Sequence, residues 1–101
     1  MLPGNYGSAV RFVYITTNPG KTVLYTGMTN DLRTRLQQHY RNRGNPKTFA
    51  GRYYCYKLLY YQRFSDVTQA IEWEKEVRDM SRARKEVLIE ETNPQWRFLL
   101  P

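Results

Sequence analysis

Two β-rich runs on either side of a short turn constrain this chain more than any other feature. Arg11-Phe12-Val13-Tyr14-Ile15-Thr16 and Thr22-Val23-Leu24-Tyr25-Thr26-Gly27 are dense in β-branched and aromatic residues, which suit a pleated, half-buried surface. Between them Asn18-Pro19-Gly20-Lys21 reads as a turn, with Pro second and Gly third as in type II. An antiparallel hairpin is predicted. Alternation places Phe12 with Tyr14 on one face of the first strand, and Val23 with Tyr25 on one face of the second.

The remaining elements follow from caps and breakers. Thr29-Asn30-Asp31 starts a helix from about Leu32 to Arg41. Gly44, Pro46 and Gly51 make the stretch from Asn42 to Arg52 a basic loop. Tyr53 to Gln62 is the third strand. Ser65 or Asp66 caps a helix to about Asp79, with Asp66 and Gln69 at capping-box spacing. Ser81 opens a last helix through Glu91, which Asn93-Pro94 ends. The order is ββαβαα, a small α+β domain with one antiparallel sheet. With no repeats or linker, the 101 residues form one domain, 1–101.

Composition removes several function classes. One cysteine, Cys55, excludes an internal disulfide, and with one histidine, His39, it excludes a Cys/His zinc cage. No apolar run reaches 18 residues, and the N-terminus has neither a basic region nor an apolar core. The expectation is a cytoplasmic protein that does not engage a membrane. Charge is divided unevenly. Ten of the sixteen basic residues but one of the nine acids precede residue 66, giving +9, while the remainder carries −2. A polyanion is the natural partner of such a half.

Polar groups interrupt two apolar helix faces. Leu32 and Leu36 define the inward stripe of the first helix, and Arg35 and His39 share it, while Arg33, Gln37 and Arg41 fall outside. The ordinary alternative is that Arg35 snorkels and His39 is a satisfied helix-end residue. In the second helix Val67, Ala70, Ile71 and Val77 form an arc that Trp73 and Met80 widen. Glu74 lies in its middle, and Glu72 and Glu76 point away. An inward carboxylate requires a cation, a metal or a donor; a salt bridge to an arginine at the core edge is the ordinary alternative. With Tyr14 and Tyr25 on neighbouring strands, these groups suit phosphodiester hydrolysis. That reaction needs an activated water, a clamp on the phosphate and help for the leaving oxygen. One carboxylate can suffice for Mg²⁺, which keeps several waters. Arginine grips phosphate bidentately. A tyrosine could orient water, or deprotonate it beside a cation.

Val13-Tyr14-Ile15, Tyr25-Thr26-Gly27, Leu32-Arg33-Thr34-Arg35-Leu36-Gln37-Gln38-His39, Ala70-Ile71-Glu72-Trp73-Glu74-Lys75 and Asn93-Pro94-Gln95-Trp96 resemble the motif series of the GIY-YIG nuclease superfamily. The resemblance covers about residues 10–98 and is greatest to a small single-domain bacterial group of uncharacterised proteins. It implies a three-stranded antiparallel sheet flanked by helices. It also implies metal-dependent cleavage of DNA, as in the N-terminal nuclease domain of excinuclease C and in some homing and restriction endonucleases. By the same resemblance Tyr14, Tyr25, Arg35 and His39 are catalytic, Asn93 supports the site, Gly27 admits the substrate backbone, and Glu74 binds one divalent ion, Mg²⁺ or Mn²⁺. The first motif lacks its glycine and Thr26 stands where isoleucine is usual, changes expected to alter packing rather than mechanism.

A separate DNA-binding domain, as in larger relatives, is not expected beside these motifs. Grip on DNA, or on RNA as the second choice, is expected from the domain itself as monomer or homodimer, or from a partner protein. Arg33, Arg41, Arg43, Lys47 and Arg52 are the expected phosphate contacts. A nucleic-acid-binding module that no longer cuts, or a subunit of a larger repair complex, is the alternative. Tyr53, Tyr54, Tyr56, Tyr60 and Tyr61 read as sheet packing rather than base stacking, Cys55 as an inert strand residue, Trp96 as a core plug beside Asn93, and Tyr6 as part of a mobile arm.

Overall fold

The structure, a computed structural model, describes residues 10–101; Tyr6 lies outside them. The hairpin consists of β1 (Arg11–Thr17) and β2 (Leu24–Thr29), paired antiparallel with Tyr14 opposite Gly27. The second strand starts two residues later than expected, and Asn18 is the cause. Its side-chain oxygen accepts from the backbone N–H groups of Thr22 and Val23, each at 2.9 Å. Those donors are thereby taken from the ladder. The turn is also not type II. Gly20 has no positive φ; the left-handed residue is Lys21, at φ 59°, which donates its N–H to the Asn18 carbonyl.

A third strand, β3 (Lys57–Phe64), pairs antiparallel with the other side of β1, so the sheet order is β2-β1-β3. It too starts late. Tyr53 to Tyr56, expected in the strand, close a turn in which Tyr54 sits at φ 60° and the Cys55 N–H reaches back to the Ala50 carbonyl. Cys55 is therefore a buried turn residue ahead of the strand, and burial pushes its thiol up to about 11. A bulge opposite Ile15 and Thr16 sends both Leu59 and Tyr60 into the same core, while Leu58 faces the other way.

Four helices complete the described residues: α1 (Leu32–Arg41), the one-turn α2 (Phe49–Arg52), α3 (Val67–Asp79) and α4 (Arg82–Thr92). Asp31, Thr48, Asp66 and Ser81 cap them, each accepting a backbone N–H in the first turn. The short α2 lies within the expected loop, where the Thr48 cap overrides the loop chemistry. α3 lies against β1 and β2. Val13, Ile15, Leu59, Ala70, Val77 and Ile89 form the core between the sheet, α3 and α4, joined by Trp73, Met80 and Trp96. Each fully buried aliphatic there contributes roughly 1.5–3 kcal/mol. Ile71, expected in the apolar arc, is half exposed; Ala70 and Val77 make the contact instead. The second cluster, Tyr14, Leu32 and Leu58 with Phe12, Tyr25 and Leu36, seats α1 on the opposite face of the sheet. Of the five clustered tyrosines, Tyr60 alone is buried, and Tyr53, Tyr54 and Tyr61 are exposed. No helix among the described residues is long and apolar enough to cross a membrane.

Candidate active site

Tyr14 and Gly27 face each other across the hairpin, and this pair makes the site possible. A Cβ on Gly27 would come within 2.5 Å of the Tyr14 ring carbon Cζ and closer still to the hydroxyl. The phenol thus passes directly over the glycine, and any side chain there would displace it. Gly27 is small to admit a side chain of its own fold, which differs from the expected role of admitting substrate backbone. The Tyr14 hydroxyl then lies 2.8 Å from Nε2 of His39, on α1. Tyr25 completes an aromatic triangle, its ring centroid 5.5 Å from that of His39 and 6.3 Å from that of Tyr14.

The charges in this triangle are set by burial. Tyr14 has no exposed surface. Burial first, and then the neighbouring Tyr25, hold its phenol far above the ordinary range; Arg35 opposes the rise and Glu74 adds to it. Tyr14 therefore keeps its proton at neutral pH. Burial also lowers His39 to about 4, aided by the Arg35 guanidinium, so the ring is uncharged at neutral pH. Its Nδ1 has no hydrogen-bond partner among the described residues. Arg35 has no carboxylate partner among them either. A cation of this kind on a half-buried surface is a ready seat for an anion.

Glu74 acts on the same place from α3. Its charge adds to the rise of the Tyr14 phenol, and its side chain is 15% exposed. Arg78, one turn further along α3, donates to its Oε2 at 3.1 Å. Oε1 has no partner among the described residues. No cluster of three or more His, Cys, Asp or Glu side chains occurs among them, so a metal held by Glu74 would have fewer than three such ligands. That donor set fits Mg²⁺ or Mn²⁺, hard cations that keep most of their waters.

Beside His39 opens a cleft of about 240 Å³ lined by Tyr25, Arg35, Gln38, His39, Asn42, Thr48 and Phe49. Phe49 was not legible as a site residue. It is an aromatic in a polar loop bounded by Pro46 and Gly51, with no apolar periodicity to give it meaning.

The structure thus brings together Tyr14, Tyr25, Arg35 and His39; Glu74 is linked to them by its charge on the Tyr14 phenol, and Asn93 makes its hydrogen bonds elsewhere. The buried Asn93 amide gives Nδ2 to the Leu59 and Arg97 carbonyls and takes the Arg97 N–H on Oδ1. It ties the C-terminal segment to β3. The five basic residues expected at phosphate divide. Arg33 donates to the Pro101 carbonyl at 2.9 Å and, with Arg41, lines a separate groove on the outer side of α1. Arg43 stacks on the Tyr40 ring at 3.8 Å. Lys47 and Arg52, both exposed, lie in the chain on either side of Thr48, Phe49 and Ala50, which line the cleft.

Residues 10–86 match the GIY-YIG catalytic domain. The chain is 33% identical over 73 residues to a UPF0213 protein of Lacticaseibacillus paracasei, covering 72% of this chain and 80% of the relative. It is 33% identical over 82 residues to a UPF0213 protein of Natronomonas pharaonis, covering 81% and 93%. The solution NMR structure of the UPF0213 protein of Bacillus halodurans superposes with a TM-score of 0.53 at 26% identity, over 86% of this chain and 89% of that one. The three-stranded antiparallel sheet flanked by helices and the tyrosine motifs of its hairpin thus have a common source: the chain belongs to the GIY-YIG family of nucleases.

Proposed function

We propose that this protein is a metal-dependent endonuclease that hydrolyses phosphodiester bonds of DNA, with its branched or flapped forms as preferred substrates and the cytoplasm as its compartment. Nucleases of this family generally use a divalent metal. The observation that supports the reading is the meeting, from β1, β2 and α1, of two phenols, an uncharged imidazole and a guanidinium with no carboxylate partner among the described residues, with the charge of the Glu74 carboxylate on α3 acting on the same phenol.

The roles follow from what each group can reach. Arg35, without a carboxylate partner, clamps the phosphate. Tyr14 has no exposed surface, so it is a positioning residue: its oxygen takes the Nε2–H of His39, which selects the tautomer whose bare Nδ1 receives the proton of the attacking water. An imidazole near pKa 4 is a weak base, but part of that depression comes from the Arg35 charge. A phosphate seated on Arg35 cancels that field and raises the basicity of His39 when substrate is in place. Tyr25, on the cleft wall, orients the water. Glu74 would hold Mg²⁺ or Mn²⁺ through its free oxygen, and such an ion supplies positive charge at the phosphate and the leaving oxygen.

The Arg78–Glu74 pair favours a second reading, a binding module that does not cut, because the carboxylate already has a cation. The Arg78 end of the pair is open to water, and a helix pair of this spacing at the surface is worth only about 0.3–0.5 kcal/mol, which a divalent ion at the carboxylate outweighs. Single-stranded, flapped, branched and duplex DNA, each with and without Mg²⁺ or Mn²⁺, would separate the readings. The expected result is metal-dependent cleavage that falls about a hundredfold or more in Glu74→Ala with DNA binding retained. Binding without any metal-dependent cleavage by the wild type would favour the silent module.

A further inference from the structure

The cleft beside His39 contains more than phosphodiester hydrolysis requires. Phe49 stacks on Tyr25, with centroids 6.1 Å apart and planes 25° from parallel, and Tyr53 leans on Phe49 at 4.8 Å. Phe49 is nevertheless 52% exposed. An aromatic ring more than half exposed, within an aromatic series adjoining a cationic site, has an unused surface. The side-chain amides of Gln38 and Asn42 line the same cleft and make no hydrogen bond among the described residues. They are the kind of donor and acceptor pair that reads a base edge.

The segment that presents Phe49 is fixed in advance. Gly44 N–H donates to the Gly51 carbonyl at 2.8 Å, Asn45 N–H to the Asn42 carbonyl at 2.9 Å, and Lys47 N–H to the Asn45 side chain at 2.9 Å. A Cβ on Gly51 would lie 2.7 Å from the carbonyl oxygens of both Asn42 and Asn45, so the chain packs there without room to spare. An aromatic held in this way loses little freedom on meeting a ligand.

We propose that Phe49 is a stacking platform for one unpaired nucleobase, and that the cleft takes a single-stranded or flapped nucleotide rather than a base-paired one. The occupant follows from the wall: an aromatic face for the base, two amides for its edge, and Arg35, with exposed Lys47 and Arg52 nearby in the chain, for the phosphates on either side. A paired base has its faces covered by its neighbours in the duplex and cannot use this surface. The proposal names the substrate class of the nuclease site described above, and so rests on that reading.

Binding measured by fluorescence anisotropy in chelator, where cleavage cannot occur, tests it independently of turnover. The probes are a short single-stranded DNA, the same sequence as RNA, the blunt duplex, and a strand of equal length carrying abasic residues. The wild type is expected to bind both single strands, with the abasic strand and the duplex about tenfold weaker, as loss of one stacked base implies. Phe49→Ala and Phe49→Leu should each lose about tenfold on the single strands and less than twofold on the duplex, with unchanged melting. Phe49→Trp should bind as the wild type does, with indole fluorescence quenched by single strands and not by the abasic strand. Equal affinity of Phe49→Leu and the wild type for single strands, or equal affinity of the wild type for normal and abasic strands, overturns the platform while leaving the nuclease reading intact. No binding of any nucleic acid by the wild type overturns both. DNA bound in preference to RNA, or the reverse, identifies which polymer supplies the base.

Discussion

The two faces of the one sheet are built for different ends, and β1 contributes to both. Val13 and Ile15 point into a dry core closed by α3 and α4, where Ala70, Val77 and Ile89 have no exposed surface. Tyr14, between them in sequence, points to the other face, where α1 covers the sheet with one buried residue, Leu32, and leaves the cleft open beside His39. The two-residue period of a strand thus separates stability from chemistry within three consecutive residues. Glu74 couples the two: it is carried by the helix that packs the dry face, and its charge acts on the Tyr14 phenol of the wet one. The position of the carboxylate therefore depends on the integrity of the core, whereas the phenol and imidazole depend on the hairpin and α1.

Substitutions at adjacent residues should break this division most visibly. Tyr14→Phe is expected to reduce metal-dependent cleavage by about a hundredfold or more, while changing denaturation stability by about 1 kcal/mol. Ile15→Ala should do the reverse, costing about 3 kcal/mol in urea unfolding and leaving cleavage by the folded protein within a few-fold. Normal cutting by Tyr14→Phe would erase the distinction.

Acid should sharpen it next. His39 sits near 4 in the fold against 6.5 when exposed. Between those values the unfolded chain binds the proton and the folded one does not. The contribution of His39 is thus fully present above pH 6.5 and is lost as the pH falls through about 4. Urea midpoints at pH 7 and 4.5 should differ in the wild type, and by less in His39→Gln. An equal drop in both proteins would assign acid sensitivity to other groups.

The smallest effect lies on the dry face. Thr26, opposite Ile15, buries a hydroxyl with no partner among the described residues. Thr26→Val should raise stability by about 1 kcal/mol by removing that unsatisfied group, read as a higher melting temperature with cleavage unchanged. An unchanged or lower melting temperature would mean that the hydroxyl finds a partner in solution.

Much of this arrangement was legible in spacing alone. Arg35 and His39 share a stripe with Leu32 and Leu36 because residues three and four apart share a helix face, and Glu74 interrupts an apolar arc for the same reason. Side chains that fold back on their own backbone were hidden. Asn18 delays β2 by taking two of its N–H groups, Thr48 turns a loop into a helix, and Asn93 spends its amide on the backbone of Leu59 and Arg97 rather than on the site. Such bonds carry no periodicity. Phe49 escaped for the opposite reason: its partners, Tyr25 and Tyr53, are set by the turn that precedes β3, not by a pattern within one element.

The most direct measurement is the rate of Mg²⁺-dependent cutting of a flapped DNA by Glu74→Ala beside the wild type, prepared identically and matched for DNA binding. Cutting by the wild type alone is the predicted result. Equal cutting by both would mean that the carboxylate carried by the helix of the dry face takes no part in the chemistry.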